Sequence, residues 1–298
     1  MKRNTENGKR LLSLWLVSIL IFVISLSVTT PAFAAYLISF KSAVANITTP
    51  TQNGERYDGV VSIEGSSQLA QIWLCVRSPK GEVTTYPVDV VENHFQYDLY
   101  LRFGAGTYTI WVGDSSQHFD GKIRFEVVNT ADRDLRYTTP SAYVDSNNEK
   151  VTQLVNSLIR PEMTEDQKLE AIYQWVTENI SYDYNAYLNN SNKMKKASST
   201  IEEKKGTCRD YSFTVAALAR AAGLEAKVVY GPAQNGRIRQ YHAWNEIKIN
   251  NQWVSVDSTW DAGYVKNGTF TFSPQRNYYK ILPTVFSKTH QVDYITLH

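Results

Sequence analysis

The sequence predicts an α+β protein in two parts, an antiparallel β-rich half followed by a half that mixes helices and strands. Residues 36–129 carry a period-two apolar pattern broken by turn residues, which is the mark of short, half-buried strands. From residue 148 the apolar spacing changes to that of amphipathic helices interleaved with strand-like runs. The 298 residues are 43% apolar and 20% charged. That balance suits globular domains and excludes disorder, collagen, a long coiled coil and a multi-span membrane protein.

The first 34 residues are expected to be a signal peptide. A basic start (MKRNTENGKR) precedes an apolar run over residues 11–28, then Pro31 and the small-x-small site Ala32-Phe33-Ala34. These are the features a signal peptidase reads, and cleavage after Ala34 is expected. An uncleaved anchor is the alternative, because 18 apolar-dominated residues just span a bilayer. Both outcomes place the body outside the cytoplasmic membrane, secreted or on the cell surface. The leader holds Lys2, Arg3, Lys9 and Arg10 against Glu6 alone, so the formal +2 of the whole chain becomes −1 for the rest. No nucleic-acid partner is expected from that charge, and a membrane enters only through an uncleaved leader.

The β-rich half, residues 35–129, reads strand by strand. Phe95, Tyr97, Leu99 and Leu101 alternate with Gln96, Asp98 and Tyr100. After Gly104-Ala105-Gly106, Tyr108, Ile110 and Val112 alternate with Thr107, Thr109 and Trp111. Ile123, Phe125 and Val127 alternate with Lys122, Arg124 and Glu126, and further strands are expected over 59–63, 71–76 and 82–88. Short strands at this spacing predict a small Ig-like β-sandwich. Core and spacer duty is its expected use, although its aromatics could serve a wall-binding face. Cys75, in an apolar strand-like run, is expected in its core.

Residues 130–147 are polar and read as a linker, and the second domain spans 148–298. Val151, Leu154, Val155 and Leu158 suit one helix. Thr164-Glu165-Asp166-Gln167 is a capping-box start for a second, with Leu169, Ile172, Val176 and Ile180 on its apolar stripe and Trp175 beside them. Residues 183–200 read as a loop. After residue 263, a strand over 269–272 and a helix over 275–282 are expected.

Chemistry concentrates at Cys208. Thr207-Cys208-Arg209-Asp210 has the form of a helix start, and the stripe Tyr211, Val215, Leu218 and Ala222 ends at Gly223. Cys208 thus falls at the first helical position, where unpaired N–H groups and the dipole favour a thiolate, the nucleophilic form. Residues 226–230 read as a strand and 231–240 as a loop. Runs over 241–249 and 252–257 flank Asn250-Asn251, a two-residue hairpin turn. With that turn, Ile249 faces Gln252, and His242 and Asp257 become diagonal neighbours on one face, with β-carbons roughly 7–8 Å apart. Nucleophile, base and orienter make a Cys-His-Asp triad. The remaining histidines, His94, His118, His290 and His298, show no comparable partner in sequence. No HExxH or paired CxxC occurs, so neither a metal nor a cofactor is expected.

The residues resemble the transglutaminase-like superfamily of papain-like cysteine enzymes. The resemblance is carried by Lys205-Gly206-Thr207-Cys208-Arg209-Asp210-Tyr211, Tyr241-His242-Ala243-Trp244-Asn245 and Trp253-Val254-Ser255-Val256-Asp257-Ser258-Thr259-Trp260-Asp261. It covers about 100 residues, from 164 to 263. It implies a papain-like transglutaminase-like core, with Cys208 as nucleophile, His242 as general base and acid, and Asp257 as orienter. It also implies a thioester acyl-enzyme formed on a protein or peptide substrate. Water would make the enzyme a protease or amidase, and a lysine amine would make it a cross-linking transglutaminase. Arg209 stands where the calcium-dependent animal cross-linkers carry tryptophan, which leans toward hydrolysis. Trp244 and Trp260 could wall a water-excluding tunnel, or pack against the hairpin. Tyr182 is a candidate second oxyanion donor beside the Cys208 N–H. A non-catalytic surface adaptor that kept the fold is the remaining alternative.

Overall fold

Eight strands build the first half: β1 (Asn46–Thr49), β2 (Glu55–Tyr57), β3 (Val60–Ser66), β4 (Gln71–Arg77), β5 (Val83–Asp89), β6 (His94–Tyr100), β7 (Gly106–Gly113) and β8 (Arg124–Asn129). The computed structural model describes residues 38–189, 193–236 and 238–297. The expected leader, 1–34, lies outside the described residues, as does His298. Among the described residues no helix is long and apolar enough to cross a membrane.

The strands form two sheets, ordered β1-β3-β6 and β2-β8-β7-β4-β5. Every pairing is antiparallel except β2 with β8. Period two dictates which side chains meet. Val61 and Ile63, Ile72 and Leu74, Ile110 and Val112, and Phe125 and Val127 are all buried and belong to one apolar core. The short β1 and β2 carry too few alternating positions to be read from sequence. Cys75 is a correction: it is half-buried and free, and lies on the face of β4 opposite Ile72, Leu74 and Val76.

The second half runs α1 (Glu149–Leu158), α2 (Glu165–Asn179), β9 (Ser181–Tyr182), α3 (Tyr184–Leu188), α4 (Ala197–Glu203), β10 (Lys205–Gly206) and α5 (Cys208–Ala221). It continues with β11 (Ala226–Gln234), β12 (Arg239–Ile249), β13 (Gln252–Val256), α6 (Ser258–Ala262), β14 (Gly263–Lys266), β15 (Thr269–Phe272), α7 (Pro283–Phe286) and β16 (Tyr294–Ile295). A four-stranded sheet, β13-β12-β11-β16, packs against α5. Every residue of α5 from Asp210 to Arg220 is buried, so α5 is the central helix. The molecule is therefore a mixed α+β protein with many antiparallel pairings.

Three expectations differ. The 183–200 loop contains α3 and α4, because Asp183 Oδ1 caps Ala186 N at 3.0 Å and Ser198 bonds Asp145 by N–H (3.1 Å) and hydroxyl (2.5 Å). The 231–240 loop is mostly strand, since β11 and β12 pair as far as Gln234 with Arg239. No helix forms over 275–282. There the backbone is taken up by tertiary bonds, Asp257 N–H to Tyr278 O at 3.0 Å and a reciprocal Ser255–Ile281 pair at 2.7 and 2.9 Å.

Residues 130–147 hold no helix or strand but are packed against the second half. Ala142, Tyr143 and Val144 are buried, and the Tyr143 ring stacks on Phe213 of α5 at 5.8 Å. Arg220, at the end of α5, donates to Thr139 O (3.0 Å), Ser141 Oγ (3.3 Å) and twice to Ala226 O (3.2 and 3.0 Å). A buried guanidinium held by carbonyls fixes where α5 sits. Arg220→Ala is expected to lower the unfolding free energy by about 2–4 kcal/mol, because three carbonyl or hydroxyl acceptors lose their donor in a dry site. Urea denaturation checks it. A change within about 0.5 kcal/mol would show that the seam does not need this cation.

Candidate active site

The N-terminus of α5 presents Cys208. Asp210 Oδ2 accepts from the Thr207 N–H (2.8 Å) and hydroxyl (3.0 Å). This cap stops the chain turning before residue 208 and starts the helix there. Gly223, at φ +84°, takes up the left-handed turn just past the helix end. Cys208 is half-buried and free.

His242 and Asp257 come from the hairpin. Asn250 and Asn251 both have positive φ (49° and 63°), as a tight hairpin turn of type I′ requires. The register is Ile249 with Gln252 through Asn245 with Val256, the one expected from the turn. It brings His242 Nε2 to 2.9 Å from Asp257 Oδ2, and both side chains are fully buried. The Cys208 side chain is near enough to act on the same imidazole, whose other nitrogen, Nδ1, lies 3.3 Å from Gln240 Nε2. The three residues singled out from sequence are thus contiguous. Asn245 ties their supports together, donating to Ser212 O on α5 (2.9 Å) and Lys227 O on β11 (3.0 Å).

Burial works against the Asp257 charge, but His242 and then His290 outweigh it and hold the carboxyl below the usual carboxylate range. Burial likewise works against a charged His242, but the Asp257 carboxylate and then Cys208 overcome it and raise the imidazole above its ordinary range. The hairpin therefore holds an imidazolium–carboxylate pair at neutral pH. The Trp260 ring lies over His242 at 4.8 Å and 25°. Trp244 is buried, packed against Phe286 and His290, and forms no cleft wall.

Sequence reasoning missed His290. Its Nε2 lies 3.2 Å from Asp257 Oδ2, and the ring is buried. No spacing rule could have found it, because the residues that deliver it follow the irregular stretch before α7. His118 also has a carboxylate partner, Asp114 at 2.9 Å, but that pair is exposed. His242, Asp257 and His290 place their donor atoms within 4.8 Å of one another. Those atoms are already engaged with each other and closed off from solvent, so the cluster reads as a hydrogen-bonded trio.

A groove of about 600 Å³ opens beside the trio, lined by residues that include Tyr182, Tyr187, Gln240, Trp260, Tyr264 and Phe270. Among the described residues, none that line it carries a formal charge at neutral pH. Gln240, Tyr182 and Trp260 form its inner end, next to Cys208 and His242.

Residues 152–258 match the family model of the transglutaminase-like superfamily. Similar curated proteins include the kyphoscoliosis peptidases of Mus musculus, 27% identical over 153 residues, and Homo sapiens, 28% over 151. These matches cover 48% and 47% of this chain but only 23% of each relative. Similar solved structures include the periplasmic domain of TgpA from Pseudomonas aeruginosa, 17% identical with TM-score 0.32, covering 69% of this chain and 74% of that one. Red sea bream transglutaminase is 10% identical with TM-score 0.26, covering 74% of this chain and 51% of that one. Both superpositions are loose, and the family match rests on sequence.

Asp257 Oδ1 also caps α6, accepting from Thr259 N (3.0 Å) and Trp260 N (3.1 Å). Asp257→Ala removes the charge and the cap and is expected to cost about 3–5 kcal/mol in denaturant unfolding. Asp257→Asn keeps the cap oxygen and is expected to cost less, roughly 1–3 kcal/mol. The lowered pKa fixes the sign with pH. The contribution of the carboxylate is complete above about pH 4 and is lost as pH falls toward its depressed folded value. Acid should therefore destabilise the wild type more than the Asn variant. Equal acid sensitivity would mean that the charge is not held as described.

Proposed function

From the transglutaminase-like superfamily domain that residues 152–258 form, we propose that this protein is a cysteine-dependent amide hydrolase, a protease or amidase working through Cys208, His242 and Asp257. The observation that carries the reading is the buried His242–Asp257 pair at 2.9 Å, with a cysteine at a helix start near enough to act on the same imidazole. The kyphoscoliosis peptidases, whose name denotes peptide hydrolysis, support it.

In the proposed reaction the Cys208 thiolate adds to an amide carbonyl carbon. The oxyanion is stabilised by the Cys208 N–H, which has no partner within its own helix, and by Tyr182 as second donor. His242 gives its proton to the departing amine as the C–N bond breaks, which leaves a thioester on Cys208. Water then attacks, passing a proton to His242, and the acid leaves as the thiolate is restored. Asp257 holds the ring and its charge throughout. Acyl transfer to an amine is the second reading, favoured by the Trp260 ring over His242, which limits access of water from that side. The proposal includes residues 1–34 as a leader that would carry the protein across the cytoplasmic membrane, with the two-sheet half read as an Ig-like spacer.

The first test needs no substrate. In a Cys75→Ser background, iodoacetamide should label Cys208, and His242→Ala should slow labelling at least about tenfold. No labelling, or no dependence on His242, would leave the adaptor reading in place. On amide substrates, Cys208→Ala should abolish turnover. Release of acid without incorporation of an added amine supports hydrolysis, and incorporation with ammonia release supports transfer. The uncharged aromatic groove sets a further expectation. Peptides with an aromatic residue beside the scissile bond should exceed those with Asp or Lys there by at least about tenfold in kcat/KM, since burying an unpaired charge is costly. Equal rates would mean that the groove does not hold the substrate.

A further inference from the structure

We propose that His290 is a fourth member of the constellation, a positioning residue that donates its Nε2–H to Asp257 Oδ2 and thereby sets how strongly that oxygen holds the His242 ring. The inference rests on His242 acting as the base. The His290 ring is fixed on every side. Phe286 stacks on it at 3.9 Å, Trp244 and Tyr278 meet it edge-on at 5.1 and 5.5 Å, and Trp260 lies at 4.7 Å. Its backbone is bridged to Ala233 of β11, flanked by Gln291 N–H to Pro232 O at 2.9 Å. Gly231 makes that approach possible, since a β-carbon there would lie 1.9 Å from Gln291 O.

The partners also fix the proton. An ionised carboxylate only accepts, so Nε2 carries the hydrogen. Nδ1 lies 2.8 Å from Thr289 Oγ1. Burial holds His290 below its ordinary range, with the His242 charge adding to that. The ring is therefore neutral with Nδ1 unprotonated, beside a Thr289 hydroxyl whose one hydrogen is also within reach of Phe286 O at 3.1 Å.

Asp257 does not need His290 for orientation, because Oδ1 is already pinned by two N–H groups. What His290 changes is the charge on Oδ2, the one oxygen that both rings share. A second donor there draws density from the oxygen and weakens its grip on His242. A general acid held too firmly as the cation is a poor proton donor to a leaving amine. The other titratable groups around this carboxylate are Cys208 beyond His242, Asp261 from α6, Tyr173 from α2, Tyr211 from α5, and Tyr278 from the stretch before α7.

Side-chain 15N NMR of histidine-labelled full-length protein tests this between pH 5 and 11, using wild type, His290→Leu and His290→Gln. His290 should remain a neutral Nε2–H tautomer through neutral pH. The His242 midpoint should rise by roughly one unit in the Leu variant, the scale of one lost hydrogen bond to a charged acceptor, and return toward wild type with Gln, which restores an N–H donor. A charged or Nδ1–H His290 at pH 7 would overturn the proposal. So would a His242 midpoint that stays put or falls in the Leu variant. Should the Leu variant not fold, the wild-type tautomer and His290→Phe decide. A wild-type His242 that is already neutral at pH 7 would instead overturn the ion pair of the proposed reaction, a separate result.

Discussion

The second half of this protein is arranged around one carboxylate with no exposed surface. An isolated carboxylate in such a place costs several kcal/mol in desolvation, and in most surroundings it would take up a proton. Asp257 stays charged because four N–H groups reach it, two from the first turn of α6 and two from imidazole rings. Each bond to a charged acceptor contributes roughly 1.5–3 kcal/mol, enough together to offset the penalty. The elements that supply these donors have little freedom left. β12 must carry His242 in this register, α6 must start at residue 258, and the 275–290 stretch must return along β13 and β11.

That requirement explains features that packing alone does not. Tyr173 Oη lies 3.0 Å from Asp257 O and 2.5 Å from Asp261 Oδ2, and Asp261 in turn accepts from Asn277 N (3.1 Å) and Tyr278 N (2.9 Å). The stretch around Asn277 and Tyr278 is thus stitched to the site by side chains as well as by its backbone bonds to β13 and Asp257. Its order comes from the same buried acids that order the site.

What could be read from sequence follows the range of the interactions. The helix start at Cys208, the Asn250-Asn251 turn and the hairpin register are set within a few residues, by a cap and by two asparagines that accept positive φ. The His242–Asp257 contact follows from that register. His290 was invisible, because its neighbours depend on tertiary backbone bonds such as Gln234 N–H to Thr289 O at 2.8 Å. The buried Tyr143 and Arg220 contacts that pack residues 130–147 were hidden by the polar composition of that stretch. Trp244 and Trp260, alike on paper, diverge because one sits under the sheet and the other beside the groove.

Charge and water then divide the site into two regions. Behind His242 lies a closed region, where Asp257, His290, Trp244 and Phe286 are all buried, and where electrostatic interactions are strong because solvent cannot screen them. In front lies the uncharged aromatic groove that Gln240 and Trp260 border. Cys208 stands between them, half-buried, on a helix end that favours negative charge. A nucleophile in that position meets its base from the dry side and its carbonyl from the open side. In the proposed reaction, the fate of an acyl group held there would depend on whether water or an amine can enter past the same aromatic rings. One front wall would then govern both which amide is chosen and which acceptor finishes the reaction.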